Sequence, residues 1–530
     1  HTEAVALSLI VRCENIMYLA TYKIRICLTL ISAFLYLPLL AGATDYYVSA
    51  ASGNDTNSGL SWAEAKQTIQ AGVNAASTGD FVLVTNGVYD TGSSNNSRVV
   101  IDKAISVMSV NGPEVTSING NSSVRCAFVG GGALLSGFTL TNGLATTSFT
   151  SYVSEGGGVY TEIGGLVSNC IITGNHADNG GGAAGGNLID CRIIGNTANT
   201  GGGLSTSEGN SIPRTNINYC RAINCEISNN KALLMGGYRF CALFNCVIRG
   251  NTATNFGGGG AFGSLQNCLI VDNSAQEAGG IMVAKMINCT IVSNTAVHGG
   301  GVDSQTYFTN SYSILYNCIV YNNSASNGPN YVRTPDFFNS CTTPHPGGAG
   351  NFTNDPMFVD TENGDYQLVA GSPCRDSGDN NVVFVSTPSP GTPAIVHTID
   401  TNDVDLSDNP RIANGYVDVG TYEYQDGNIQ ADYDSDGLGN GDENIAGTDF
   451  TNSNDFFNVI DVTVASPVAI SFHSVSGRLY AVDHNDEFLP NPQEWFEFTN
   501  NIPGTGETLL VQDHDGATNR HYRVRVQQAP

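Results

Sequence analysis

The stretch NCTIVSNTAVHGGG, residues 288–301, places a cysteine after an asparagine, an isoleucine two positions on and a second asparagine five on. An alanine stands seven positions after the cysteine, and a run of glycines follows. The pattern recurs. Seven copies align on Cys170, Cys191, Cys225, Cys246, Cys268, Cys289 and Cys318, spaced 21, 34, 21, 22, 21 and 29 residues apart. The residue before each cysteine is Asn, except Asp190; two after it stand Ile172, Ile193, Ile227, Ile248, Ile270, Ile291 and Val320. Five after it stands Asn in every copy, from Asn175 to Asn323, and seven after it Ala, from Ala177 to Ala325.

A period near 21 residues with short β-type alternation is that of a solenoid whose rungs are strands. Leucine-rich repeats share the period, but their leucine-dense consensus is absent. Stacked coils lie about 4.8 Å apart, so each repeated position becomes a column along the solenoid. Cysteine and the isoleucine two residues on then point inward together, cysteine acting as a small hydrophobe. Asparagine at a fixed corner can bond the amide of the next coil, and glycine is expected to turn the corner through positive φ. The expected class is all-β: a parallel β-helix, a hinge, and a small β-sandwich. The long steps hold insertions at about 205–218 and 303–310, with another at 144–155; such loops often gather on one face and line a groove.

The N-C-x-I-x-x-N-x-A copies and their glycine clusters resemble the right-handed parallel β-helix repeats of pectin-lyase-like proteins, and also those of polymorphic outer-membrane proteins. Residues 45–90, beginning DYYVSAASGNDTNSGLSWAEAKQTIQ, are similar to the N-terminal cap of secreted β-helix proteins, some polysaccharide lyases among them. That resemblance implies a short helix, at about Trp62 to Ala76, plugging the first coil. DPMFVDTENGDYQLVAGSPCRDSGDN (355–380) and NPRIANGYVDVGTYEY (409–424) resemble the closing segment of such proteins.

The net charge of −27 disfavours nucleic acid and acidic membrane surfaces as partners. From Met17 a basic stretch (Lys23, Arg25), the apolar run Ile26 to Leu40 and Ala41-Gly42-Ala43 read as a signal peptide, 17–43, with an uncleaved anchor as the rival. Residues 1–16 read as upstream translation. No later segment is apolar enough to cross a membrane, so a secreted or outer-surface location is expected. Oligomeric state is left open.

A polysaccharide lyase on this fold needs a basic residue to take a proton and positive charge to neutralise a uronate. The repeat region is poor in both, and Lys231, Arg239 and Arg249 are the one basic grouping to test as catalytic. Arg192 and Glu226 fall in one outward column, a surface ion pair; Arg249 and Asp272 invite the same reading. Glu155, Glu162, Asp178 and Asp303 are scattered rather than clustered as a hydrolase requires, and His176 and His298 read as surface turn residues. The ladder cysteines, and the pair Cys220 and Cys241, are expected to be free buried thiols. Cys341 and Cys374 lie outside the ladder, and a bridge between them is left open.

DYDSDGLGNGDE, 432–443, has the oxygen-ligand spacing of an EF-hand-type calcium loop. Asp432, Asp434, Asp436, Asn440 and Glu443 take the side-chain places, and Leu438 supplies a carbonyl. Without long flanking helices it resembles the calcium loops of thrombospondin type 3 or dockerin repeats. The expected organisation is a solenoid with cap and closing segment over 44–424, a calcium-binding linker over 425–455 and a β-sandwich over 456–530. In that last domain Tyr480 and Trp495 are candidates for a sugar-stacking platform, core packing being the commoner role.

Three functional readings follow. The preferred one is a secreted or cell-surface β-helix that binds glycans or mediates adhesion without catalysis. The second is a polysaccharide lyase or related carbohydrate-active enzyme acting on acidic polysaccharide, and the third a purely structural surface protein. Fold alone does not choose among them, since function lives in the site.

Overall fold

The computed structural model describes residues 43–92, 95–146, 154–208, 217–218, 220–304, 312–348, 350–386, 395–398, 403–413 and 416–425, and in the C-terminal part 459–463, 468–474, 478–485, 496–505, 507–513 and 521–528. The signal segment, the calcium loop 432–443, Trp495 and the cores of the three insertions lie outside them. The chain divides into two units, one ending at Tyr424 and the other beginning at Gln425.

The first unit is a parallel β-solenoid built from three sheets, called here I, II and III. Sheet I begins with Asp45–Val48 paired in parallel to Phe81–Val84, and each coil contributes one or two strands to it. Sheet II has eleven strands in strict chain order, from Gly87–Tyr89 to Cys341–Thr342. Sheet III runs in order from Leu144–Ala145 to Thr252–Phe256 and reaches Thr295–His298 through bridges at Ser274.

Register follows the sequence columns. Ile172, Ile193, Ile227, Ile248, Ile270, Ile291 and Val320 pair one onto the next through sheet II, and all are fully buried. Leu188, Leu243, Leu265 and Leu315 from sheet I pack in the same core. Stacking like on like lets each coil bury its apolar face against its neighbours, which a lone coil could not do.

Each other letter of the repeat also has a cause. The residue before each cysteine turns the corner from sheet I to sheet II in the left-handed region, with φ from 47 to 54° from Asn169 to Asn317, a conformation Asn and Asp tolerate best among non-glycine residues. The cysteine thiol then donates to the carbonyl two residues back, as in Cys246 Sγ to Phe244 O at 3.3 Å. The asparagine five after the cysteine points inward and forms a ladder: Asn230, Asn251, Asn273 and Asn294 each donate Nδ2 to the next Oδ1 at 2.9–3.0 Å. The same oxygens accept the backbone N–H of the coil before, so a buried corner is left without orphaned donors.

The glycines bear out one expectation in part, since the first glycine of the clusters at 180, 201, 257 and 299 does take positive φ. Positive φ belongs to the residue before each glycine pair, such as Gly180, Gly201, Met235 or Ala278. The pair itself is needed for close approach: a Cβ at Gly182 would lie 2.7 Å from Gly203 O, 2.8 Å from Ile193 Cγ2 and 2.9 Å from Asn196 Nδ2. The coil corner and the asparagine ladder occupy that space.

At the N-terminal end the cap contains a short 3-10 turn, Trp62–Glu64, and a separate helix, Ile69–Ala75. Thr68 Oγ1 accepts from Ala71 N to cap the helix, whose buried Ile69 and Val73 close the first coil. All described cysteines are free and buried, Cys341 and Cys374 included. Burial pushes the Cys126 thiol up to about 12.

The second unit holds two three-stranded antiparallel sheets, Val459–Thr463, Val468–His473 and Thr508–Asp513 in one, Phe496–Pro503, Arg478–Asn485 and His521–Gln528 in the other. Their apolar residues Ile470, Phe472, Tyr480 and Val482 form a shared core, as in a sandwich. Tyr480 is therefore a core residue, its ring 5.2 Å from Phe472, and not a stacking platform.

Candidate functional site

The three basic candidates do not converge. Lys231 is exposed in sheet III, in register with Thr197 and Thr252. Arg239 lies in sheet I with its guanidinium 4.9 Å from the Phe240 ring centre. Arg249 lies in sheet II. A coil passes through all three sheets in about one repeat, so closeness in sequence sends these residues to different faces. Arg192 meets Glu226 as expected, Nε to Oε2 at 3.3 Å. Arg249 pairs with the other oxygen of Glu226, at 3.5 Å, rather than with Asp272. Glu226 thus sits between two half-exposed guanidiniums, an arrangement worth little to stability. His176 shares a hydrogen bond with Thr197 Oγ1 at 2.8 Å on the surface.

Beside this ion triad is an open cleft of about 460 Å³. One wall is the corner column Asp190, Asn224 and Asn245, whose left-handed backbone turns their side chains outward at coil spacing. Asn224 Nδ2 donates to Asp190 Oδ1 at 3.1 Å, and Ser228 Oγ donates to Glu226 Oε1 at 2.8 Å. Glu226, Val247 and Arg249 form the floor. The opposite wall is Leu406 and Asp408, from the closing segment. The cleft therefore offers planar amide, carboxylate and guanidinium groups in a regular row, with Val247 and Leu406 as the apolar surface.

Sequence reasoning missed the second wall, although a signal for it exists. Early sheet II strands keep at least one polar residue on the outward face, as Arg192-Ile193-Ile194 and Glu226-Ile227-Ser228 do. Later ones read Leu269-Ile270-Val271, Thr290-Ile291-Val292 and Ile319-Val320-Tyr321, the pattern of a strand covered on both faces. Their outward residues Leu269, Val271, Val292 and Ile319 are buried under Phe358, Tyr366, Leu368, Val419 and Tyr422 of the closing segment.

A second feature lies on the outer side of sheet I. Phe240 and Phe262 stack at 4.7 Å under Arg239, and Arg221 lies 5.0 Å from the Phe244 ring centre. Lys285 is exposed in the same column as Arg221. Two insertions leave sheet I on either side of these coils, after Thr206 and after Ser304. Asp303, expected to be isolated, is held with Glu277 on one Arg333 nitrogen, at 2.7 and 3.3 Å. Being fully buried, it serves as a clamp on the Arg333 turn. Among the described residues no three His, Cys, Asp or Glu side chains converge as metal ligands, and no helix is long and apolar enough to cross a membrane.

No family model matches the chain, and no curated protein matches it. Among solved structures it is similar to pectate lyase Pel9A, at 12% identity and a TM-score of 0.43, over 73% of this chain and 98% of that one. A rhamnogalacturonan lyase matches at 14% identity and a TM-score of 0.38, over 61% of this chain and 92% of that one. XylC in complex with xylose matches at 10% identity and a TM-score of 0.31, over 91% of this chain and 100% of that one. The assignment as a β-solenoid rests on the register of the chain itself.

Proposed function

We propose that the chain is a secreted or cell-surface β-solenoid that binds a glycan without catalysing its cleavage, and that the cleft between Asp190, Asn224, Asn245 and Leu406, Asp408 takes part of one chain. The cleft's composition carries this reading: planar hydrogen-bonding groups at coil spacing suit the hydroxyls of sugar rings, and the apolar surface suits a ring face. Its charge narrows the class. Asp190, Glu226 and Asp408 outnumber the two guanidiniums beside them, Arg192 and Arg249, both already engaged with Glu226. A neutral polysaccharide fits that balance, and a uronate or sulfate chain is repelled.

The outer face of sheet I supports the second reading. Arg221, Arg239 and Lys285 beside aromatic rings suit an acidic polysaccharide, and enzymatic cleavage there would need a base drawn from them. Both readings are tested by the purified chain on immobilised neutral and acidic polysaccharides, with absorbance of unsaturated uronate followed in parallel. Retention on a neutral polysaccharide that is lost in Asn224→Ala and Asp190→Ala supports the cleft. Unsaturated product that disappears in Arg239→Ala overturns it in favour of a lyase, and no retention on any polysaccharide leaves the structural role. The hard oxygen donors of Asp432, Asp434, Asp436, Asn440 and Glu443, with the Leu438 carbonyl, suit calcium, and we propose that it stiffens the linker between the two units.

A further inference from the structure

The second wall of the cleft belongs to a segment whose described residues, 403–413 and 416–424, lie across the outside of the coils. Asn267 Nδ2 donates to Val404 O at 2.8 Å, Thr421 Oγ1 to Cys268 O at 2.8 Å, Thr421 N to Thr290 Oγ1 at 2.9 Å and Gly420 N to Asn317 O at 2.8 Å. Val417 and Ile412 pack on Ile287 and Tyr316. Leu406 packs with Val247, Leu269, Val271 and Tyr422, and Val419 packs on Ile319.

This segment carries its charge where water is absent. Arg411 is completely buried, and Asp405, Asp418 and Glu423 are no more than 4% exposed. Arg411 Nη2 donates to the carbonyls of Asp418 and Gly420 rather than to a carboxylate. Its Nε lies 4.0 Å from Glu423 Oε2 without a hydrogen bond, and Nη1 has no partner. The carboxyls are bound by backbone donors instead: Asp405 by Ser407, Asn409 and Glu423, Asp418 by Asp376 and Tyr424, Glu423 by Asp418 and Ala413. Three ionised carboxylates beside one guanidinium would leave two uncompensated negative charges in a dry site, which is costly.

Among the described residues, the remaining titratable neighbours add no cation to that site. They are the carboxyls of Asp365 and Asp376, the phenols of Tyr366 and Tyr422, and the thiols of Cys289, Cys318 and Cys374. Asp403 is a further buried carboxyl on the same segment. Arg375 lies 4.1 Å from the Tyr424 ring centre and is bonded to Ala370 O.

We propose that residues 403–424 are a proton-held strap: with Glu423 neutral the strap docks and completes the cleft, and loss of that proton at alkaline pH undocks it and removes the glycan site. Burial supports this direction, pushing Glu423 up to about 8 and Asp418 up to about 6 against the pull of Arg411. A carboxyl raised above its ordinary range holds a proton in the docked state that the undocked state releases. Docking is therefore strongest below the ordinary glutamate range and weakens as pH rises towards 8. The regulatory consequence rests on the cleft being the glycan site; the strap itself does not.

The test uses the full chain, with trypsin cleavage after Arg411 reporting undocking and retention on neutral polysaccharide reporting the cleft. Wild type and Glu423→Gln are compared at the same pH, at 6.5 and at 9, so that the pH dependence of the protease cancels. The wild type is expected to be cut after Arg411 at least tenfold faster than Glu423→Gln at pH 9 and by a smaller factor at pH 6.5, the two converging only near the ordinary glutamate range. Retention should fall with cleavage resistance in the wild type and persist in the variant. Rates within twofold at both pH values overturn the strap, and retention that survives at pH 9 with Arg411 cut overturns its control of the cleft. Strap release without retention at any pH refutes the glycan reading alone. Asp418→Asn repeats the comparison if Glu423→Gln does not fold.

Discussion

Asn251→Ala tests whether the buried amide ladder holds the coils together. Asn251 is completely buried. Its Oδ1 accepts from Asn230 N and Asn230 Nδ2, both at 3.0 Å, and its Nδ2 donates to Ile227 O at 2.8 Å and Asn273 Oδ1 at 3.0 Å. Truncation removes all four bonds. Asn230 Nδ2 keeps Ile193 O, and Asn273 Oδ1 keeps Asn251 N, so each of those groups retains a partner. Asn230 N loses the acceptor that satisfies it at the corner. One orphaned backbone donor costs about 1–3 kcal/mol, and the other three lost bonds roughly 1 kcal/mol each, giving about 4–6 kcal/mol in all. Because coils couple mainly to their neighbours, the loss should be local, and amide hydrogen exchange at Asn230 and Lys231 is the suitable assay. About 4 kcal/mol corresponds to exchange faster by roughly a thousandfold. Thr252→Ala, one residue on and exposed, should change exchange by less than about threefold. If Asn251→Ala behaves like Thr252→Ala, the ladder is not what holds the corner.

Gly182→Ala should destabilise the solenoid by about 2 kcal/mol or more, because its Cβ would meet the backbone of the next coil at 2.7 Å; an unchanged guanidinium midpoint would contradict that packing. The ladder thiols should resist alkylation at pH 8 in the native chain and react on denaturation, since they are buried and Cys126 is pushed up to about 12; rapid native labelling would disprove the buried column. Calorimetry on the full chain should show calcium binding that is lost in Asp434→Ala with Glu443→Gln, and no heat from the wild type at millimolar calcium refutes the loop at 432–443.

The coil interior was legible because every interior position is a column. Ile270 has the same neighbours as Ile248 and Ile291, so selection for one stack writes the same letter at a fixed period. The corner residues were legible for a similar reason: a left-handed turn before each cysteine favours Asn or Asp whatever lies outside. The site was less legible, because outward residues answer to whatever covers them. Arg249 looked like a partner for Lys231 and Arg239 by sequence distance, yet its neighbour is Glu226, one coil back. The closing segment had even less local signal, since Leu406 and Asp408 meet Asn224 and Asn245 only after the chain doubles back over the coils.

That doubling back separates two kinds of stability in the first unit. The coils are held by repeated, charge-free contacts, the isoleucine stack and the amide ladder, which change little with pH. Residues 403–424 are held by apolar packing and hydrogen bonds on the coils and, in addition, by a buried cluster with more carboxyl than guanidinium groups, which on the strap proposal changes with pH. A cleft formed wholly from coil corners would be as permanent as the solenoid. Because Leu406 and Asp408 complete it instead, its integrity follows the weaker of the two, and proton loss from Glu423 can open the wall while every coil stays in register.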